Sequence, residues 1–523
     1  MSFLRKATGL VREAGFIDVF AMASLNMQLA FGIMYLLMWG PYMYPGGDLI
    51  TSTIICTIGS VFMALTWAMM ASIMPRSGGD YVFISRSLHP LLGFLSSLAW
   101  VIANFFWFGI LTAWVADPGL STLCLMLGYT GAANWFASTT GMLVIGTILI
   151  FLSWLLMSLG PKYWLRFNVA AFILGCVMIV LVFGLIVGAS PSSAVAAFNA
   201  HAVRHGALSF QATINEASSA LQAARVTGIG QTLNLIPVAA WGLVYAYFAT
   251  YIAGEVKKVH RNYLVALPGV TILSGVLMIS SAWLYISKYG YDFLYSIVYL
   301  WSDTANYAFP VSPSFHMIAS TLTTNQVIIA LIGIGFVCWT ITMPLFCLIG
   351  QSRIALAWAF DRIAPAFFGD VNERYHSPIK NLTFFAIMGE IFLILYVYYM
   401  DIVGGFAPFL IQAATTFIMI ALAAMVLPLR KGVRHIYEAA PVSKYKVLGI
   451  PVLTLVAIPY FVFYAVLVYY GYTRSELGYA HTPSIIGVVV ALLGGAAYFI
   501  AVWYYRKKQG IDLGKLYKEI PVE

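Results

Sequence analysis

Twelve apolar runs, each long enough to cross a bilayer as a helix, constrain this chain more than any other feature. They lie at 17–39, 48–73, 91–115, 140–158, 164–188, 232–253, 263–286, 326–350, 382–400, 403–428, 448–471 and 482–504. A helix needs about 20 apolar residues to span the hydrocarbon layer. Of the 523 residues, 61% are hydrophobic and only 9% charged, which leaves no room for a large soluble domain. The expected class is an all-α membrane protein of twelve spans, numbered 1 to 12 in chain order.

The net charge of +9 invites a nucleic-acid or anionic-surface reading, but the placement of the charge opposes it. Of the 28 Lys and Arg residues, 24 fall on the termini and one set of alternate loops, and 4 on the other set. That is the positive-inside pattern; it predicts both termini in the cytoplasm of a multi-pass cell-membrane protein. The expected partners are the lipid bilayer and a small molecule, with no nucleic acid. Cys56, Cys176, Cys338 and Cys347 lie in spans, and Cys124 has no neighbour to pair with in its loop. Neither a disulfide framework nor a metal site is therefore expected. The N-terminal MSFLRKATGLVREAGF is too charged for a cleavable signal, and span 1 is too long for one.

The polar residues inside the spans carry the functional information. Span 1 holds Ser24, Asn26 and Gln28 at its centre, and span 3 holds Asn104. Amides at that depth need partners in another helix, a ligand or water. The stretch 241–258, WGLVYAYFATYIAGEVKK, mixes small residues with Trp241, Tyr245, Tyr247 and Phe248, just after Pro237. A helix can break in lipid only where the freed backbone lines a cavity or is buried in protein. This stretch is a candidate wall of a small-molecule site, or else an ordinary tyrosine-rich packing face. Span 8 offers Thr340, Thr342 and Pro344; span 10 offers Pro408, Gln412, Thr415 and Thr416. Glu390 in span 9 is the one acid well inside a span, either a proton carrier or a neutral packing acid. His201 and His205 fall in the long 189–230 loop, where 211–225 reads as a surface helix; solvated loop histidines are the expectation. No span holds a histidine, and no cluster suggests catalysis, so no catalytic residue and no cofactor is expected. A membrane enzyme is thereby disfavoured. A sensor usually adds a soluble domain, and 506–523 is too short for one.

Four segments between spans carry a resemblance. After span 2, Pro75, Ser77, Gly78, Gly79, Tyr81, Arg86, Gly93 and Phe94 resemble the P-x-S/G-G-x-Y element of the amino acid–polyamine–organocation (APC) superfamily. After span 6, Glu255, Val256 and Lys257 resemble its E-E-V-K-N-P signature, with Gly254 and Val259 as departures. After span 8, Ser352, Arg353, Ala359, Asp361 and Pro365 resemble its S-R-x-x-x-A-x-A-R-D-x-x-x-P element, and Asn372, Arg374 and Pro378 the downstream part of that element. Gly160, Lys162 and Arg166 resemble a fourth element, before span 5. Several proton-coupled relatives carry a lysine nine residues after that arginine, where this chain has Gly175. The resemblance covers roughly 15–430, with spans 11 and 12 similar only in general character.

The resemblance implies the leucine-transporter fold: two inverted five-helix repeats plus two C-terminal helices, with helices 1 and 6 discontinuous. The implied boundaries are a cytoplasmic N-terminus (1–16), a first repeat (17–188), an extracellular loop (189–230), a second repeat (231–428), spans 11 and 12 with their preceding loop (429–505), and a cytoplasmic tail (506–523). The resemblance further implies that free N–H groups near Ala23, Ser24, Leu25 and Asn26 hold a substrate carboxylate. Carbonyls near Tyr245, Ala246 and Tyr247, the aligned unwound position, would hold its ammonium. Gln28, Asn104, Trp241 and Phe248 complete the expected site. Thr340 and Thr342 are candidates for a sodium site beside span 1, and Glu390 for a proton site; coupling to either gradient is open. The expected activity is a secondary active permease moving neutral amino acids by alternating access. A polyamine or cationic amino acid carrier is the alternative, because tyrosine and tryptophan faces attract cations.

Overall fold

The computed structural model describes residues 9–303, 306–400 and 413–520. Eleven of its helices are long and apolar enough to cross a membrane: Phe16–Met43, Leu49–Ile73, Pro90–Met126, Thr139–Ser158, Pro161–Gly188, Ile229–Glu255, Val259–Tyr289, Gln326–Phe360, Ile379–Tyr398, Val452–Thr473 and Thr482–Lys508. A shorter apolar helix, Thr415–Val426, is the described part of span 10. Pro408 and Gln412 lie outside the described residues. The protein is thus an all-α, multi-pass membrane protein of about twelve helices.

Several ends differ from expectation, span 8 running on to Phe360 among them. Span 3 continues beyond 115 through an irregular turn at Val115–Leu120, where Asp117 leaves helical geometry and accepts a hydrogen bond from the Ser121 hydroxyl. Span 11 starts later, because Lys446–Val447 and Ile450–Pro451 pair as an antiparallel hairpin. Local sequence explains several starts. Asp48 and Asn325 accept hydrogen bonds from the first amides of spans 2 and 8. Pro90 and Pro161 open spans 3 and 5, where a missing N–H costs nothing.

Hydrogen bonds between loops sort them into two faces. On one face, Lys257 N–H donates to Ala14 O, Arg430 to Ser87 O, Arg506 to Arg362 O, and Ser377 to Met157 O. These bonds join the very segments that carry most of the basic residues, so this is the basic face. On the opposite face, Val226 N–H donates to Pro45 O, Gly46 N–H to Tyr291 Oη, and Lys288 to Ala189 O. The expected surface helix appears there as Phe210–Ala224, and an unexpected one, Pro191–His205, precedes it.

Spans 1 and 6 are both interrupted. Span 1 consists of two α-helices, Phe16–Met27 and Leu29–Met43, separated by Gln28 in the left-handed region (φ 53°, ψ 47°). Span 6 is α-helical to Ala240, turns over 241–244, and continues as a tighter 3-10 helix over Tyr245–Glu255. The two spans meet at Gly32 and Gly242: a Cβ on either would lie 2.8 Å from the other's Cα. Small residues let membrane helices approach at backbone distance, where dispersion takes over from the absent hydrophobic drive.

Candidate functional site

Each interruption frees backbone groups. The amides of Leu29, Ala30 and Phe31 begin a helix and so have no intrahelical acceptor. Ala23, Ser24, Leu25 and Asn26 lie inside the preceding helix, where amides are already bonded. The break therefore sits at Gln28, and the free amides come after it instead of before it. In span 6 the turn falls at 241–244, ahead of the aligned Tyr245, Ala246 and Tyr247.

Between the breaks lies a cavity of about 70 Å3. Asn26 and Gln28 line it from span 1, Trp241, Tyr245 and Phe248 from span 6, and Asn104 from span 3. Span 3 also contributes Trp100, Trp107 and Leu111, and span 8 contributes Met343, Phe346 and Cys347. These six were not expected. Positions 100, 104, 107 and 111 share one helix face by their spacing, so reading that face outward from Asn104 would have found them. Of the other expected residues, Ala23, Ser24, Leu25 and Ala246 are buried and do not line the cavity. Tyr247 lines a second cavity of about 60 Å3, between spans 6, 10 and 11, which Thr415 and Tyr464 also border. Trp100, Trp241 and Tyr245 form the wall shared by both.

The polar groups at the central cavity are all neutral. Asn26 Nδ2 donates to Met22 O at 2.9 Å, and Asn104 Nδ2 to Trp100 O at 2.8 Å. Each asparagine thus spends a donor on its own helix and keeps its Oδ1 as an acceptor. Gln28 Oε1 is buried without a hydrogen-bond partner. The side-chain amides of Asn26, Gln28 and Asn104 thus face the cavity beside the aromatic rings of Trp100, Trp107, Trp241, Tyr245 and Phe248.

The remaining candidates lie elsewhere. Thr340 donates to Val337 O at 2.8 Å and Thr342 to Trp339 O at 3.0 Å, within their own helix. Thr340 Oγ1 lies against Gly119, in the irregular turn of span 3. Glu390 is half-buried and accepts a 2.7 Å hydrogen bond from Thr147 of span 4, away from both cavities. The Gly175 position, where relatives have a lysine, is filled: a Cβ there would lie 2.7 Å from Trp339 Nε1. On the face opposite the basic one, the His201 and His205 rings lie 4.6 Å apart, tilted, and His201 stacks on Phe309. Desolvation, His205 and Arg204 push His201 down to about 4, so it is neutral at pH 7.

Near the basic face lie two buried ion pairs. Arg353 forks onto Glu255 at 2.8 and 3.0 Å, with both side chains 1% exposed. Arg86 pairs with Asp361 at 2.7 Å, fully buried, and Tyr81 Oη donates to the same carboxylate at 2.6 Å. Tyr517 of the C-terminal segment lies with its hydroxyl 3.0 Å from that of Tyr81 and its ring under Arg86. Beside them, Asp80 is wholly buried and accepts from Tyr251 Oη at 2.9 Å and Ser96 Oγ at 3.2 Å. Burial raises its carboxyl to about 7, against the lowering pull of those two hydroxyls.

The four ion-paired residues all belong to the three resemblance elements after spans 2, 6 and 8. Their joint occurrence in the sequence has a physical cause: each supplies charges that the others neutralise. A family model described as amino acid permease matches residues 15–503, which extends the likeness through span 11 and nearly all of span 12. With a cavity set between two broken helices and that match over most of its length, the chain belongs to the amino acid permease family of the APC superfamily.

Proposed function

We propose that this permease carries neutral amino acids across the cell membrane as a secondary active transporter working by alternating access. The observation that supports this reading is the central cavity between the two helix breaks, whose lining holds amides, aromatic rings and apolar chains and, among the described residues, no charged side chain. The substrate carboxylate sits on the amides after Gln28, as anions do at helix starts. Its ammonium is held by the Oδ1 atoms of Asn26 and Asn104 and by Gln28 Oε1. An acidic side chain would lack a counter-ion there, and burying it unpaired is costly. Spans 1–5 and 6–10 act as the two repeats. The basic face is cytoplasmic, with both termini on it.

One observation favours a second reading, a cationic amino acid or polyamine. Trp100, Trp107, Trp241, Tyr245 and Phe248 ring the cavity, and aromatic faces attract cations by about 0.5–2 kcal/mol each. Competition in proteoliposomes separates the two. Leucine and phenylalanine are expected to displace bound tracer, and arginine and putrescine to leave it in place; the reverse pattern replaces the first reading by the second. Asn26→Leu keeps the side-chain volume and removes the acceptor. A hydrogen bond to a charged group is worth about 1.5–3 kcal/mol, so affinity for leucine is expected to drop about 10- to 100-fold. An unchanged Kd by isothermal titration would remove Asn26 from the site.

A further inference from the structure

Three acids are buried near the basic face, and their partners differ in kind. Glu255 and Asp361 are each neutralised by an arginine. Asp80 is 0% exposed, yet no salt bridge reaches it among the described residues. It opens the short helix Asp80–Ser87, outside the spans, and three other elements close around it. From span 6 comes Tyr251 Oη; from span 3, Ser96 Oγ, which is also 2.9 Å from Thr416 Oγ1 of span 10. Thr416 Oγ1 in turn donates to Ala413 O at 2.7 Å. The other charged and titratable groups facing this region have partners or neighbours of their own. Arg86 and Tyr81 on the same helix bond Asp361; Arg353 of span 8 bonds Glu255; Tyr460 of span 11 donates to Phe417 O; Tyr247 of span 6 lies next to Tyr251.

We propose that Asp80 is a proton-binding site whose occupancy sets how tightly span 6 is held at the basic face. The proposal rests on the transporter reading above for its consequence, but the site itself stands on the geometry. With Asp80 ionised, both oxygens accept from hydroxyls, and Tyr251 is held by a charge-assisted bond. A proton taken from solvent onto Oδ2 reverses one link: Oδ2–H then donates to Ser96 Oγ, Ser96 turns its own proton toward Thr416, and Thr416 donates to Ala413 O. Every hydroxyl keeps a partner in the neutral state, while the backbone amides of Asp80 and Tyr81 favour the ionised one. The bond from Tyr251 then ends on a neutral carbonyl, and hydrogen bonds to neutral acceptors are about half as strong as those to charged ones. The remaining ties of Tyr251 to the 78–80 turn are weaker: its carbonyl accepts from Gly78 N–H at 3.2 Å, and its ring packs on Gly79. Proton binding therefore loosens the side-chain hydrogen bond between span 6 and that turn, and proton release to solvent restores it. The raised carboxyl, near 7, puts both forms within reach at neutral pH.

The test uses the purified full-length protein. In proteoliposomes with an inward gradient of one pH unit, one-for-one coupling allows leucine to accumulate about tenfold. Asp80→Asn is expected to show no accumulation above equilibrium, and Tyr251→Phe to shift the pH midpoint of uptake upward, because it removes a donor that favours the ionised form. Gradient-driven accumulation by Asp80→Asn overturns the proposal. Absence of leucine uptake by the wild type counts against the amino acid reading alone, and a second measurement then decides Asp80 without any substrate. A carboxyl raised on folding stabilises the native state below its unfolded value and loses that stability as pH rises through its folded value. The melting temperature of the wild type, relative to Asp80→Asn, should therefore fall between pH 3.8 and about 7 and level off above. A difference that stays flat across that window overturns the site.

Discussion

Glu255→Ala is expected to leave little folded protein, because it strands the Arg353 guanidinium in a place with no water. Removing one partner of a buried ion pair costs about 3–5 kcal/mol, most of it from the charge left behind. Total stabilities of proteins are about 5–15 kcal/mol, so one such loss takes a large share. Arg353 bonds Ser352 Oγ at 3.0 Å, but a single neutral acceptor cannot replace a forked carboxylate. The double variant Glu255→Leu with Arg353→Met removes both charges at similar volume and is expected to recover most of the yield. Arg434→Ala serves as contrast: its partner Glu438 is four residues away and both side chains are more than half exposed. An exposed pair of that kind is worth about 0.3–0.5 kcal/mol, below what a melt resolves. Monodisperse yield and melting temperature in detergent report all three. If Glu255→Ala and Arg434→Ala melt alike, burial is not what makes the first pair matter.

How far these features could be read in advance depends on the range of the interaction. The spans were legible because each is a local property: about 20 apolar residues, a capping Asp48 or an opening Pro161. The interruptions were half legible. Polar Asn26 and Gln28 mark span 1, but which residue leaves the helix depends on a single left-handed turn that glutamine does not announce. In span 6, counting back from Glu255 leads to Tyr245, Ala246 and Tyr247, where no glycine stands. The glycine sits at 242, inside the turn, because that is where span 1 crosses. Tyr247 belongs to the expected site through that same count, as the third residue of the aligned position. Side chains two apart on a 3-10 helix point to different faces, whereas Tyr245 and Phe248, three apart, eclipse and share one. The ion pairs between 86 and 361 and between 255 and 353 left only their separate motifs in the chain. Their pairing has no periodic trace, since the partners are 275 and 98 residues apart.

Gly242→Val is expected to abolish transport while leaving some folded protein, and its reasoning joins the fold to the site. A Cβ at 242 would stand 2.8 Å from Gly32 Cα and 3.0 Å from Met278 Sδ. The thioether can swing away, as methionine adapts to its neighbours. The backbone of span 1 cannot, so spans 1 and 6 must separate. Overpacking of this kind costs about 1–3 kcal/mol, which a well-packed membrane bundle can survive. The site cannot survive it as easily: Gln28 is one helical turn from Gly32, and Trp241 adjoins 242, so a shift at the crossing moves both walls of the cavity. A displacement of about 1 Å in a binding constellation costs about 100-fold in rate. Met278→Ala added to Gly242→Val should restore neither uptake nor binding, since it clears only the side that could already yield. Gly32→Ala should reproduce the defect from the other helix, because its Cβ meets Gly242 Cα at the same 2.8 Å. Leucine uptake at the wild-type rate in either variant would mean that the two broken helices need not touch for the cavity to work.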